Sequence, residues 1–232
     1  MVTTQQGATN HQLRRHAHLA PLPGHNALEI PSLRAQMSAQ GYSRVPNCLD
    51  GTLVSQLTQE SMRQYPQAVQ SEYGQYGTSE DGTWFSGPMR FVSSRPGPWL
   101  EWLHRHPDMV ALVRGITGQP QMKPTRLSYM YYTDGSFIHL HTDLPGCKVT
   151  VLMTVLGQVP TLVVYPELRG MSIPDLLEFA QAYAGIPAGG IELPFPQGEL
   201  AFLMGRETPH RRPEVRTGGT NIGIATLCYR AD

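Results

Sequence analysis

The chain carries few charges, and they cancel. Of its 232 residues, 18 are Lys or Arg and 18 are Asp or Glu, so the formal net charge is zero and only 16% of the residues are charged. A surface without a basic excess does not favour binding to nucleic acid or to an anionic membrane. We therefore expect neither kind of partner.

Cysteines and long apolar runs are also scarce. Cys48, Cys147 and Cys228 are far apart and form no CxxC pair, so neither a disulfide framework nor a zinc knuckle is indicated. No apolar run approaches the roughly 20 residues that cross a bilayer, and no signal-peptide pattern opens the chain. These absences predict a soluble protein of the reducing cytoplasm.

Turn-forming residues are plentiful, with 23 Gly and 20 Pro. Residues 1–25 are polar and contain Pro21, Pro23 and Gly24, which predicts a flexible N-terminal arm. Residues 26–232 are long enough for one domain and too short to require two. We expect that domain to have a helical part, 26–120, and a strand-rich part, 121–232.

Helical spacing marks several segments of the first part. Leu33 and Met37 share one helical face before Gly41, and a short extended piece follows through Val45. Further helices are predicted at 53–65, 99–105 and 107–116, with a glycine-rich loop at 74–88 and a later helix at 174–184.

After residue 121 the chain changes to short runs rich in Val, Thr, Tyr, Leu and Ile, separated by Gly and Pro. Such runs are typical of strands in a sandwich, barrel or jelly roll. The predicted strands are 126–133, 136–141, 147–156, 161–165, 198–204 and 221–229. Helices followed by strands indicate an α+β fold.

The sequence His141-Thr142-Asp143 spaces an imidazole and a carboxylate by two residues. On an extended segment both side chains project from the same face. His210, just after the predicted strand 198–204, is the candidate third ligand. Together they would form the 2-His-1-carboxylate arrangement of iron(II) oxygenases. The pair also arises by chance, and His139, with the same parity as His141, offers another ligand.

Three segments resemble the iron(II)- and 2-oxoglutarate-dependent dioxygenases, including their prolyl-hydroxylase-like members. They are AQGYSRVPNCLD, ITGQPQMKPTRLSYMYYTDGSFIHLHTD and GELAFLMGRETPHRRPEVRTGG. The resemblance implies a double-stranded β-helix, of jelly-roll or cupin-like form, with N-terminal helices packed on the sheet. Residues 26–232 would then be a single catalytic domain.

The same resemblance implies the cofactors and the reaction. Iron(II) would be held by His141, Asp143 and His210, with 2-oxoglutarate and O2 as co-substrates. A carboxylate at position 143, where related halogenases have none, favours hydroxylation over halogenation. Desaturation and ring formation stay open as other outcomes.

The resemblance fails where a basic residue would bind 2-oxoglutarate. Family members often have it about ten residues beyond the distal histidine, where this chain has Thr220 and Asn221. Either another residue supplies the charge, or the co-substrate binds differently, or the enzyme does not use it.

Alternation along a strand from His210 predicts that Arg212 points inward, although Pro213 interrupts that register. Arg216 is the second candidate, and Arg126 is a more distant one. Tyr132 and Thr220 would add hydrogen bonds.

The segment GTWFSGPMRF contains Trp84 and Arg90. In similar enzymes such a segment can cover the barrel mouth, so the resemblance implies that both residues contact substrate there. A single domain without a basic surface suits a small-molecule substrate, such as an amino acid or a natural-product intermediate. Two alternatives stay open. One is a cupin-like metal-dependent oxygenase that does not use 2-oxoglutarate, and the other is a non-catalytic jelly-roll binding module.

Overall fold

The computed structural model describes residues 29–73, 77–78, 84–157, 161–182, 189–216, 218–219 and 221–231. The expected N-terminal arm, 1–25, and Thr220 lie outside the described residues.

The described residues form five α-helices, and each begins or ends at a residue suited to that position. The helices are α1 (Glu29–Gln40), α2 (Gly51–Gln64), α3 (Pro98–Arg105), α4 (Pro107–Thr117) and α5 (Ile173–Ala182). Asp50 caps α2, because its Oδ1 accepts the backbone N–H of Leu53 at 2.8 Å. Gly118 ends α4 with a φ of 69°, a conformation that favours glycine. The expected helices are confirmed, with ends that differ by one or two residues, although the last two residues of the helix expected at 174–184 lie outside the described residues.

The described strands belong to one curled, antiparallel sheet. They are β1 (Tyr42–Val45), β2 (Val69–Tyr73), β3 (Gly77–Thr78), β4 (Trp84–Phe85), β5 (Met89–Ser94), β6 (Lys123–Tyr132), β7 (Phe137–His141), β8 (Val149–Leu156), β9 (Thr161–Val164), β10 (Ile191–Pro194), β11 (Leu200–Leu203), β12 (His210–Arg212) and β13 (Ile222–Arg230). The neighbour order is β1-β11-β8-β13-β6-β5-β7-β12-β9-β10, while β2 pairs with β5 and β4 with β3 and β7. The fold is therefore α+β.

The six strands expected after residue 121 are confirmed as β6, β7, β8, β9, β11 and β13. The short extended piece expected through Val45 is β1, but the expectation of a helical part through residue 120 is wrong in part, because β2 to β5 also lie within it. β5 pairs with β6 and β7, and so extends the sheet that the later strands build. Neighbouring glycines and prolines concealed these short strands in the sequence.

Apolar side chains bury both faces of the sheet. Tyr129 and Leu227 point from β6 and β13 into a core shared with α2, α3 and α4. Tyr132 and Ile224, of opposite parity on the same strands, belong to a second core inside the curl of the sheet. A third cluster, which includes Leu140, lies under α5. The curled sheet thus has an interior, and the candidate site opens from it.

The cysteine prediction is corrected by the structure. Cys147 and Cys228 form a disulfide although 81 positions separate them, and Cys48 is free and buried. Cys228 faces Thr150 across the β13–β8 pairing, so the sheet register brings the loop before β8 to β13. Only the tertiary fold reveals this pair.

Within the described parts of the chain, no helix combines the length and apolar character needed to span a membrane.

Candidate metal centre

The structure brings together the three side chains that the sequence singled out. His141 ends β7, Asp143 follows in the next loop, and His210 begins β12 directly opposite His141. Asp143 Oδ1 lies 3.7 Å from His141 Nε2 and 3.4 Å from His210 Nε2. One potential ligand atom from each residue lies within 4.8 Å of the other two. Two atoms bonded to one first-row metal at about 2.1 Å are roughly 3.0–3.5 Å apart, so the cluster is close to the size of a metal site.

Backbone carbonyls fix the orientation of both imidazoles. His141 Nδ1 lies 2.9 Å from the carbonyl oxygen of His139, and His210 Nδ1 lies 2.9 Å from that of Thr208. Because a carbonyl only accepts, each Nδ1 must carry the proton. In the neutral form of each ring, Nε2 then presents its lone pair to the centre of the cluster, as a metal ligand does.

The Asp143 carboxylate is held by residues that the sequence interpretation missed. Thr150 Oγ1 on β8 donates to its Oδ2. The Asp143 N–H donates to the carbonyl of Gly205 at 2.8 Å, and Arg206 Nη1 donates to the Asp143 carbonyl at 3.1 Å. A Cβ at Gly205 would lie 1.8 Å from Asp143 Oδ2, so this position requires glycine. The available signals were weak: a hydroxyl in an apolar strand and a glycine-arginine turn after β11.

Electrostatics favour the metal-binding forms of His141 and Asp143. Burial, reinforced by His210, lowers the pKa of His141 to about 3. Burial alone would raise the pKa of Asp143, but the attraction of His210 and His141 and the hydrogen bond from Thr150 outweigh it and lower that pKa to about 2. Near neutral pH His141 is thus a free base and Asp143 an anion, the forms that bind metal.

A cavity of about 780 Å³ opens on this cluster, and both His141 and Asp143 line it. Its volume is typical of sites for small molecules. The wall is mainly apolar, and the side chains that give it this character include Phe85, Met89, Phe91, Met130, Ile138 and Leu144.

Arg212 lies inside the curled sheet, in the core that contains Tyr132. It is 3% exposed, and its β12 position pairs with Ile138, which lines the cavity. Its guanidinium lies over the Tyr132 ring, with Cζ 4.5 Å from the ring centroid. Nη1 donates to the carbonyl of Thr161 at 3.3 Å, whereas the buried Nε has no hydrogen-bond partner among the described residues. No described carboxylate forms an ion pair with Arg212.

Tyr132 is the inward tyrosine of β6. Burial raises its pKa, as does the Asp143 charge, while Arg212 opposes the shift. Its hydroxyl is therefore neutral and lies in the field of both charged groups. Tyr129 and Tyr131 have the opposite parity, and their hydroxyls bond to Glu60 at 2.7 Å and to the Ser61 carbonyl at 2.8 Å.

Three other candidate residues lie away from the cavity. Arg216 is exposed and lies 3.7 Å from Glu214 in a surface ion pair, so its inward orientation was wrongly predicted. Arg90 is exposed because alternation on β5 directs its neighbours Met89 and Phe91 into the cavity instead. Trp84 is fully buried in the cluster under α5, and the adjacent Phe85 takes the cavity position.

His139 is not part of the cluster. The pairing of β7 with β12 shifts between His141↔His210 and Ile138↔Arg212, so β7 has one more residue than its partner there. In a regular strand, residues two positions apart have side chains on the same face, so His139 would lie beside His141. The extra residue in β7 breaks this alternation and turns His139 away. The His139 ring instead contacts Phe137, with a centroid separation of 5.0 Å.

Comparison of the sequence found no match among protein-family models and none among curated proteins. Comparison of the structure did find matches. SnoN, a non-heme alpha-ketoglutarate-dependent epimerase of nogalamycin biosynthesis, has a TM-score of 0.63 at 17% identity, over 88% of this chain and 84% of SnoN. This chain has the fold of that enzyme.

Two further solved structures share the fold. A Pseudomonas putida prolyl-4-hydroxylase matches with a TM-score of 0.55 at 14% identity, over 88% of this chain and 99% of its own. HygX from Streptomyces hygroscopicus was solved with nickel, 2-oxoglutarate and hygromycin B bound. It matches with a TM-score of 0.58 at 13% identity, over 85% of this chain and 86% of HygX. The likeness therefore extends over most of each chain.

Proposed function

We propose that this protein is an iron(II)- and 2-oxoglutarate-dependent oxygenase that hydroxylates a small molecule. The observation that carries the proposal is the convergence of His141, Asp143 and His210 at one cavity, within a fold shared with such enzymes. In this proposal residues 26–232 are a single catalytic domain and the curled sheet is a double-stranded β-helix.

The donor set suits iron. Two imidazoles and one carboxylate on one side of an ion leave its other positions open, as non-heme iron(II) oxygenases require. His141 Nε2, His210 Nε2 and Asp143 Oδ1 would hold the metal. When bound, iron and 2-oxoglutarate supply the oxidising chemistry with O2, which the protein's own side chains cannot provide. The carbonyls of His139 and Thr208 and the hydroxyl of Thr150 keep the three ligands aimed at one point.

Arg212 is the residue we assign to the far carboxylate of 2-oxoglutarate. A guanidinium that is 3% exposed and has no carboxylate partner among the described residues is costly unless an anion enters beside it. The unpartnered Nε provides a donor for that anion, and a carboxylate matches the forked geometry of arginine. Tyr132, stacked against the guanidinium, would donate a further hydrogen bond. This assignment replaces the basic residue missing at positions 220 and 221.

The alternative oxygenase that does not use 2-oxoglutarate loses its main support if Arg212 takes this role.

The cytoplasmic location also stays a proposal. It rested in part on the expected absence of disulfides, and the Cys147–Cys228 disulfide removes that premise.

Turnover of 2-oxoglutarate tests the proposal. The protein purified without oxygen and supplied with iron(II), 2-oxoglutarate and O2 should release succinate, and release should stop when either iron or O2 is withheld. His210→Ala should abolish succinate release, whereas His139→Ala, a matched histidine outside the cluster, should retain it. Succinate release that does not require iron, or that survives in His210→Ala, would refute the assignment.

A further inference from the structure

An arginine other than Arg212 lines the cavity beside the metal cluster. Arg126 lies on β6, where alternation places it on the same face as Ser128 and Met130, which also line the cavity. No described residue forms a hydrogen bond or an ion pair with Arg126. Asp143 is the one acidic residue among the described residues that line the cavity, and it belongs to the metal cluster.

Arg126 and Arg212 lie far apart within the site. Arg212 lies over the ring of Tyr132, six residues beyond Arg126 on β6. Six residues of extended strand span about 20 Å. A five-carbon diacid is much shorter than this, so one molecule of 2-oxoglutarate does not engage both guanidinium groups. Arg126 is left for a different anion.

The sheet register gives the separation of Arg126 from the metal cluster. Thr150, which bonds to Asp143, faces Cys228 on the next strand, and Thr125 Oγ1 donates to the Cys228 carbonyl at 3.0 Å. Arg126, the residue after Thr125, is therefore attached to the wall two strand spacings from Thr150, about 10 Å. Its side chain lies beside Gly146, where an added Cβ would be 3.7 Å from Arg126 Nε.

The wall between the cluster and Arg126 is suited to an apolar molecule. Leu144 lies in the loop after Asp143, and the Cys147–Cys228 disulfide also lines the cavity. Phe85 and Phe91 line it from the side of β4 and β5. A charged ligand without an apolar part would lose water on these surfaces without gaining a polar partner.

We propose that the substrate is an amphipathic carboxylic acid. Its apolar body would contact Phe85, Phe91 and Leu144, and its carboxylate would pair with Arg126. The carbon that is oxidised would then be separated from the carboxylate by the apolar body of the substrate. This inference rests on the proposed function and adds the substrate class and the residue that selects it.

Binding of a model acid tests the inference. The full chain, loaded with iron(II) and 2-oxoglutarate without oxygen, is titrated calorimetrically with phenylhexanoate and with its primary amide. Wild-type protein should bind the acid up to about fivefold more tightly than the amide, since an ion pair with the exposed Arg126 is replaced by a contact with a neutral group. Arg126→Met should remove this preference, and Arg126→Lys should keep part of it. Arg105→Met, which removes an exposed arginine of α3, should keep it in full.

Three results would overturn the assignment: no binding of the acid, equal affinity for acid and amide, or a preference that survives in Arg126→Met. Failure of the proposed function would appear separately, as absent succinate release in a protein that still prefers the acid. Arg212→Met separates the two arginines, because it should weaken 2-oxoglutarate binding and leave the preference for acid over amide. The assignment would also be overturned if Arg126→Met weakened 2-oxoglutarate binding while Arg212→Met removed the preference for acid over amide.

Discussion

Arg212 illustrates how one side chain reveals what its pocket binds. Replacing it with Met should raise the apparent KM for 2-oxoglutarate by about 10- to 100-fold, because a charged hydrogen bond contributes roughly 1.5–3 kcal/mol. Iron binding should persist, since Arg212 touches none of the three ligand side chains in the structure. Arg216→Met is the matched control, because that arginine is exposed and paired only with Glu214. A KM that rises for Arg216→Met but not for Arg212→Met would contradict the assignment.

Gly205 provides a second test at the scale of single residues. In Gly205→Ala the new methyl would lie 1.8 Å from Asp143 Oδ2, so the carboxylate or the turn must move. We expect at least about tenfold weaker iron binding, in line with the loss when a residue that orients a ligand is changed. Gly51→Ala is the control, because no atom lies within 4 Å of the added Cβ there. Unchanged iron affinity in Gly205→Ala would show that the observed Asp143 position is not needed for binding.

The metal cluster was predictable because the two-residue spacing of His141 and Asp143 places both side chains on one face of any extended segment. The other residue assignments depended on strand register and strand boundaries, which the sequence does not specify. His141 and Asp143 share a face wherever the chain is extended, and Arg212 follows His210 on one strand. His139 was displaced by the register shift in β7, and Arg90 by the alternation of a strand that was not recognised. Cys147 and Cys228 meet only through the pairing of β13 with β8.

Among the elements, α3 is tied to the sheet by a buried histidine. His104 Nε2 bonds to the Cys228 carbonyl on β13 at 2.9 Å, and Tyr229 Oη donates to the His104 carbonyl at 3.0 Å. Burial lowers the pKa of His104 below 6.5. The unfolded chain therefore binds this proton more readily than the folded one, and folding stability should fall as pH decreases below about 6.5.

Replacing His104 with Phe tests this pH dependence. The variant should lose some stability near neutral pH, about 0.5–1.5 kcal/mol for one hydrogen bond, since Thr125 still donates to the Cys228 carbonyl. Its stability should then fall less steeply than that of the wild type between pH 6.5 and lower values. Urea unfolding at several pH values measures both effects. If the free energy of unfolding fell equally steeply with decreasing pH in the wild type and in His104→Phe, a neutral, buried His104 would be contradicted.

Sequence patterns predicted the long elements better than the short ones. β6, β8 and β13 are eight to ten residues long and apolar on at least one face, and they were recognised. β3 and β4 have two residues each, too few for any periodicity to be visible. Such strands exist because the sheet provides neighbours for them, and the same holds for β12, which carries His210 and Arg212 between β7 and β9.

At the scale of the whole molecule, the Cys147–Cys228 bond closes a loop with a sequence separation of 81. Removing a crosslink over a loop of this length costs up to about 4.5 kcal/mol in the chain-entropy model. The midpoint of urea unfolding should therefore shift to a lower urea concentration when the disulfide is reduced. Cys147→Ser should shift the midpoint to a similar extent. Thiol titration of the unfolded, unreduced protein should find one free cysteine, Cys48. Three free thiols, or stability unaffected by reductant, would contradict the disulfide.

At the scale of the whole molecule, Arg126 lines the cavity beside the metal cluster, and Arg212 lies inside the curled sheet over the Tyr132 ring. The most direct test of this arrangement is a crystal structure of the protein loaded without oxygen with iron(II) and 2-oxoglutarate, with anomalous data collected at the iron edge. We predict one iron peak bonded to His141 Nε2, Asp143 Oδ1 and His210 Nε2 at about 2.0–2.2 Å. The far carboxylate of 2-oxoglutarate should lie against Arg212 and Tyr132. An iron peak outside these three ligands, or a 2-oxoglutarate carboxylate paired with Arg126 or Arg216, would contradict the account.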